Sequence, residues 1–220
     1  MQLATQPILG RQVKRALLRS APLRRGQQGF TLVEISIVLV IIGLILGGIL
    51  NAQSVIRNAQ TKDSIKALND MAAAARQFFD RYGMWPGDFS NAVASGLVCA
   101  NGDGNGFISA AERNCASEHL IRAGMLKGTV AAAPPTVIRV RGSTFSVIRA
   151  TLAGVAAPAN WGNVVRVQAI DCDIAVQMDR AVDDGNTNTG NFRITANTCG
   201  ATGADQNETI VVANAILRLN

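Results

Sequence analysis

A run of apolar residues near the N-terminus constrains this chain more than any other feature. The 21 residues from Phe30 to Leu50 are apolar except for Thr31, Glu34, Ser36 and three glycines. A helix of ~20 apolar residues spans the ~30 Å hydrocarbon core of a bilayer. The sequence therefore predicts a membrane-spanning helix that carries one carboxylate.

The positive charge of the chain lies ahead of this run. The formal net charge is +6, and residues 1–29 hold six basic residues and no acidic one. Basic residues mark the cytoplasmic side of a membrane helix, so we expect the N-terminus in the cytoplasm and the body outside it. The other fifteen basic residues equal the fifteen acidic ones. This neutral body gives no reason to expect a nucleic-acid partner.

The start of the apolar run resembles a known processing signal. Gly29 followed by Phe30-Thr31-Leu32-Val33-Glu34, behind a basic leader, resembles the prepilin signal of type IV pilins and type II secretion pseudopilins. The resemblance implies that a prepilin peptidase removes the leader, residues 1–29, by cutting between Gly29 and Phe30. It also implies that Phe30 is then methylated and that Glu34 stays inside the membrane segment.

The resemblance also implies a role for Glu34 in assembly. A charged side chain at membrane depth costs several kcal/mol unless it is paired. In a filament, the Glu34 carboxylate can face the cationic amine of a neighbouring Phe30, and one offset between subunits satisfies every copy. The alternative is that Glu34 lies near the membrane interface and contacts water.

The resemblance implies a structural function. The chain is expected to be a pilin or minor pilin of a type IV pilus-class filament, made as a bacterial inner-membrane precursor with a periplasmic body. Its partners would be other pilin subunits, the prepilin peptidase and the inner-membrane assembly platform. Major pilins often carry a proline where this chain has Asn51, which leaves minor pilins and pseudopilins open.

Two alternatives remain at this stage. One is a pseudopilin of type II secretion or competence, and the other is a calcium-dependent adhesin or binding domain anchored by the prepilin helix. An enzyme is not predicted, because the chain has a single histidine, His119, and no G-x-S-x-G, Walker A or H-E-x-x-H motif.

The rest of the chain predicts an α+β fold in which a long N-terminal helix packs on a small antiparallel β-sheet, as in pilins. Residues 30–52 form the transmembrane or filament-core part of that helix, residues 53–82 its amphipathic half, and residues 83–220 a globular domain. Gly83 and Pro86 end the helix. Further helices are expected at 110–126 and at 173–182, the latter capped by Asp173. Strands are expected at 136–141, 144–151, 163–170, 192–196 and near the C-terminus.

The segment "NGDGNGFISAAE" fits the spacing of the EF-hand calcium loop. The candidate calcium ligands are Asn101, Asp103, Asn105, Phe107 through its carbonyl, Ser109 through a water, and Glu112. Only two of these are carboxylates, so the expected affinity is weak, ~10⁻⁴–10⁻³ M. The alternative is a metal-free turn in which Ser109 and Glu112 form a capping box.

The four cysteines predict two disulfides. They lack C-x-x-C spacing and would lie in an oxidising compartment. Three pairings are possible, and neighbourhood in sequence favours Cys99–Cys115 and Cys172–Cys199. The segment "DRAVDDGNTNTG" resembles one found in many prepilin-type proteins. Its Asp183 and Asp184 would either hold a second cation or form a solvated turn, and the composition of the segment favours the turn.

Overall fold

The computed structural model describes residues 29–195, 199 and 210–219. The leader prediction therefore lies outside the described residues, apart from Gly29. The chain divides into two units, with the boundary between Gly48 and Ile49. The described part of the first unit consists of residues 29–31 and the start of one long helix. The second unit contains the remaining described elements.

The long helix, α1, runs from Leu32 to Tyr82 and has 51 residues. It begins two residues later than the sequence predicts, because Thr31 is the capping residue. It ends at Gly83, whose backbone adopts a φ of +70° and whose N–H donates to the carbonyl of Phe79 at 2.7 Å. Glycine adopts this left-handed conformation without a steric cost, so the predicted helix end at Gly83 is confirmed.

The described residues of the second unit contain a five-stranded antiparallel sheet in the order β1-β2-β3-β5-β4. The strands are β1 (Ile138–Val140), β2 (Ser143–Arg149), β3 (Asn163–Asp171), β4 (Phe192–Ile194) and β5 (Val211–Arg218). Together with α1, this sheet confirms the predicted α+β class. The expected end of β4 at residue 196 lies outside the described residues.

The β1–β2 hairpin follows directly from its turn residues. Val140 pairs with Ser143, so only Arg141 and Gly142 connect the strands. Both connecting residues have positive φ, +51° and +91°. A two-residue connection with both φ values positive matches the right-handed twist of the strands, and glycine favours it.

Two shorter helices differ in detail from the predictions. Helix α2 covers only Arg113–Arg122, because residues 109–112 form a turn and Gly124 adopts a φ of +74° just beyond its end. Helix α3 covers Cys172–Val182, and its N-cap is Asp171. The predicted cap by Asp173 is wrong, because the Asp173 carboxylate binds Arg57 of α1 instead.

The hydrophobic core of the second unit lies on one face of the sheet. It combines the C-terminal half of α1 with α2, α3 and the inward-facing residues of the strands; its largest fully buried members include Leu68, Met71, Phe78, Leu120, Phe145, Met178 and Phe192. A smaller cluster, which includes Ile148, Trp161 and Ile216, lies apart from it. The loops between α1 and α2 pack on the main core through Trp85, Phe89 and Ile108.

Candidate functional site

Residues 29–31 precede helix α1 without adopting helical structure, and they are exposed. The Phe30 side chain is 82% exposed. The peptide bond between Gly29 and Phe30 therefore lies in non-helical, solvent-accessible chain one residue ahead of the cap.

The Glu34 carboxylate is held at the start of α1 by Thr31. Its Oε2 accepts hydrogen bonds from the Thr31 N–H at 2.9 Å and from the Thr31 hydroxyl at 2.8 Å. The Glu34 N–H donates in return to the Thr31 hydroxyl oxygen at 3.2 Å. This reciprocal arrangement is a capping box. It places the carboxylate next to Phe30, and the Thr-x-x-Glu spacing that signals it is visible in the sequence.

The N-terminal part of α1 presents an apolar surface. Each large apolar side chain from Phe30 to Ile56 is between 46% and 90% exposed. Within the described residues, α1 is the one helix long and apolar enough to cross a membrane by length and composition. An apolar surface of this extent in water marks a membrane or protein contact.

Residues 24–50 match the family model for the prokaryotic N-terminal methylation motif. The chain thus begins as a type IV pilin-like prepilin does. The matched residues include the start of α1, and this long helix continues beyond them to Tyr82. No curated protein and no solved structure matches the chain.

A cluster of three carboxylates forms in the second unit, between α1 and α2 in the chain. One oxygen each from Asp88, Asp103 and Glu112 lies within 4.8 Å of the other two. Asp88 is fully buried. Among the described residues, no lysine or arginine forms a salt bridge with any of the three. We call these three residues the carboxylate cluster.

The carboxylate cluster forms because two loop segments run side by side. The N–H of Gly102 donates to the carbonyl of Phe89 at 3.0 Å, and the N–H of Gly104 donates to the carbonyl of Asp88 at 3.1 Å. A side chain at residue 102 would collide with the Asp88 backbone. Asp88 comes from the "WPGD" turn, outside the EF-hand pattern, and its position depends on this tertiary contact. Sequence spacing alone therefore missed it.

The remaining predicted calcium ligands bind other protein groups. The Asn101 side-chain oxygen accepts the N–H of Val93 at 2.9 Å, and that of Asn105 accepts the N–H of Phe107 at 2.8 Å. The Ser109 N–H donates to Glu112 at 2.8 Å, and the Glu112 N–H donates to the Ser109 hydroxyl at 3.4 Å. These are the reciprocal bonds of the predicted capping box, but they close the turn ahead of α2, whose N-cap is Glu112. The structure thus brings Asp103 and Glu112 together with Asp88.

The electrostatics of the carboxylate cluster favour a cation. Burial raises the pKa of Asp88, and the neighbouring carboxyl groups of Asp103 and Glu112 raise it further. The N–H groups of Gly106 and Asn105 oppose this shift by donating to Asp88 at 2.8 Å and 3.1 Å. Like charges at this spacing repel each other, and a divalent ion with oxygen ligands removes the repulsion.

Both disulfides are formed with the pairing that sequence neighbourhood favours. Cys99 is bonded to Cys115, and Cys172 to Cys199, each with a Cα–Cα distance of 5.6 Å. The first bridge encloses the loop that carries Asp103 and Glu112. The second joins the first residue of α3 to the chain beyond β4.

Asp183 and Asp184 organise the turn that follows α3. Asp183 accepts the N–H groups of Asn191 and Phe192, and Asp184 accepts the N–H of Asn186 at 2.8 Å and the hydroxyl of Thr189 at 2.7 Å. Asp179, fully buried beside them, lacks a hydrogen-bond partner of ordinary geometry among the described residues. Burial raises its pKa to about 7.

His119, which lies on α2, is fully buried. Its Nδ1 accepts the N–H of Gly87 at 3.0 Å, which requires a neutral ring, and the ring stacks on Phe78 with 6.1 Å between centroids. Burial lowers the pKa of His119 to about 4, against the opposite effect of Glu118. His119 therefore packs the loop onto α1 and α2.

Proposed function

We propose that this protein is a structural subunit, a pilin or minor pilin, of a type IV pilus-class filament. The observation that carries the proposal is the methylation motif at residues 24–50, which includes the apolar start of α1 and Glu34 in its first turn. The leader remains in the cytoplasm, the peptidase cuts between Gly29 and Phe30, and the body reaches the periplasm. A pseudopilin of type II secretion shares these steps and is the alternative within the same class.

The geometry at Thr31 supports pairing of Glu34 with an amine. After cleavage, the new amine belongs to Phe30, one residue ahead of the Thr31 that holds the carboxylate. A lone carboxylate in lipid is costly, and an amine supplied by a neighbouring subunit removes most of that cost. Each subunit offers one amine and one carboxylate, so the pairing repeats along a filament.

Two variants separate the charge of Glu34 from its capping role. Glutamine also serves in a capping box, so Glu34→Gln keeps the cap and removes the charge. Thr31→Val removes the hydroxyl that shares the cap and keeps the charge. We expect both variants to be processed, Glu34→Gln to be missing from sheared filaments, and Thr31→Val to be incorporated. Normal incorporation of processed Glu34→Gln would refute the charge pairing.

We further propose that the carboxylate cluster binds calcium weakly. The three carboxylates of the cluster offer hard oxygen ligands of the kind calcium prefers. Bound calcium would fix the loop that Cys99 and Cys115 enclose. A subunit exposed outside the cell would meet calcium at the concentrations such weak sites require.

Calorimetric titration of the detergent-solubilised chain tests the calcium proposal. We expect binding with a dissociation constant of ~10⁻⁴–10⁻³ M, weakened at least ~10-fold by Asp103→Asn because one ligand charge is lost. Asp103 is exposed, and the backbone N–H groups of Asn105 and Gly106 that donate to Asp88 are kept in this variant. Asp80→Asn, on the exposed face of α1, is the matched control. Equal calcium affinity for Asp103→Asn and Asp80→Asn would contradict the proposal that the carboxylate cluster binds the ion.

A further inference from the structure

A cavity with several polar lining residues lies in the second unit, where α2 meets strands β2 and β3. Its volume is about 160 Å³, and its lining includes Arg113, Ser117, Thr144, Ser146 and Arg166. Ser146 lies directly opposite Arg166 in the β2–β3 register. Side chains directly opposite each other in an antiparallel pair point to the same face of the sheet, so both reach the same space.

Two residues that line this cavity each carry a buried polar atom without a partner among the described residues. Arg166 is only 8% exposed, and its Nε makes no hydrogen bond to any described residue. The Ser146 hydroxyl is likewise buried and unpartnered within the described part of the chain. Leaving a buried donor unsatisfied costs ~1–3 kcal/mol, and more for a charged group. Such groups in a native protein are normally satisfied by a ligand, ion or water.

The charge in the cavity is positive and uncompensated. Burial lowers the pKa of Arg166, and the nearby Arg113 guanidinium lowers it further. Within the part of the chain that the structure describes, no acidic residue lines the cavity. Among the described residues, neither arginine forms a salt bridge. Two guanidinium groups that face one space without an acid repel each other unless an anion lies between them.

We propose that this cavity binds a tetrahedral oxyanion group, a phosphate or a sulfate, between Arg113 and Arg166. Guanidinium groups donate paired hydrogen bonds to such oxygens, and the Ser146 and Ser117 hydroxyls offer further donors. A doubly charged anion matches two cations, whereas one carboxylate matches only half of the charge. The volume admits the anionic group and leaves any larger attached portion at the mouth.

Calorimetry and thermal unfolding of the full chain in an uncharged detergent test this site. The probes are inorganic phosphate, sulfate and acetate at constant ionic strength. We expect phosphate and sulfate to bind and raise the Tm by at least about 3 °C, and acetate to bind more weakly. Arg166→Gln should weaken phosphate binding at least ~10-fold, while Arg139→Gln on the exposed β1 strand should not.

The stability of Arg166→Gln without anion distinguishes a binding residue from a structural one. Because Arg166 is buried and unpaired, its replacement should leave the Tm in anion-free buffer unchanged or higher. A structural arginine would instead lower the Tm when replaced. The proposal is overturned if phosphate and sulfate give no heat, if Arg166→Gln binds phosphate like the parent chain, or if it melts lower without anion.

A sugar phosphate identifies the source of the anionic group. If glucose 6-phosphate binds at least as tightly as inorganic phosphate and Arg166→Gln weakens both, the occupant is the terminal group of a larger ligand. If only inorganic phosphate binds, and does so through Arg166, the occupant is the free ion. Either result supports the oxyanion site.

Discussion

At the scale of single residues, two buried groups make stability depend on pH in opposite directions. The folded chain withholds a proton from His119 until the pH nears 4, whereas an unperturbed histidine accepts it near 6.5. The stability that neutral His119 contributes is therefore lost as the pH falls from 6.5 to 4. Asp179 keeps its proton up to about pH 7 instead of 3.8, so its contribution is lost as the pH rises.

Replacing either His119 or Asp179 should leave a pH dependence of stability that is set by the other residue. The pKa shifts of His119 and Asp179 correspond to at most roughly 3.5 and 4.5 kcal/mol of stability. Relative to the parent chain, His119→Gln should lose stability more steeply as the pH rises, and Asp179→Asn as the pH falls. Urea unfolding in detergent between pH 4.5 and 7, with a chelator present, measures this. If the free energy of unfolding of both variants changed with pH in parallel with that of the parent chain, the opposing pKa shifts would be refuted.

At the scale of elements, Arg57 connects α1 to the start of α3. Its Nε donates to Asp173 at 2.7 Å, its Nη2 also binds Asp173, and its Nη1 binds Asp171 at 2.7 Å. The Asp173 side chain is only 6% exposed. Arg57→Gln leaves that carboxylate buried without its cation, so we expect the free energy of unfolding to fall by roughly 2–3 kcal/mol.

Lys66→Gln is the matched control for Arg57→Gln. Lys66 also lies on α1 and pairs with Asp70, but their side chains are 73% and 51% exposed. An exposed pair of this kind contributes less than about 0.5 kcal/mol. Chemical denaturation should therefore separate the two variants clearly. Equal losses would show that the Arg57 contact adds no more than a surface pair.

Local sequence was sufficient to predict most elements. Helix α1 lacks proline and glycine from Asn51 to Tyr82, and the Arg141–Gly142 turn has a backbone that suits its hairpin. Contacts between residues far apart in the sequence could not be predicted from local patterns. Asp173 has the spacing of a helix cap, but Arg57, 116 residues away, binds its carboxylate. Asp88 reaches the carboxylate cluster only because Gly102 lets two loops touch.

At the scale of the whole molecule, the disulfides stabilise different regions. The bridges close loops with sequence separations of 16 and 27 residues. Replacing either cysteine pair by serine should lower the free energy of unfolding by roughly 3 kcal/mol. Only loss of Cys99–Cys115 should also weaken calcium binding, because that bridge encloses Asp103 and Glu112. Equal calcium affinity in the two double variants would show that the Cys99–Cys115 bridge does not contribute to the proposed calcium binding.

The proposed function requires the chain to enter filaments through its processed N-terminus. Under this proposal, lipid covers the exposed apolar side chains from Phe30 to Ile56 before assembly, and neighbouring helices cover them afterwards. The Gly29–Phe30 bond lies outside α1, as the proposed cleavage requires.

Mass spectrometry of filaments sheared from cells tests this claim most directly. The account predicts a peptide that begins at methylated Phe30 and is enriched in the filament fraction. A chain that still carries residues 1–29, or a processed chain confined to the membrane fraction, would contradict it.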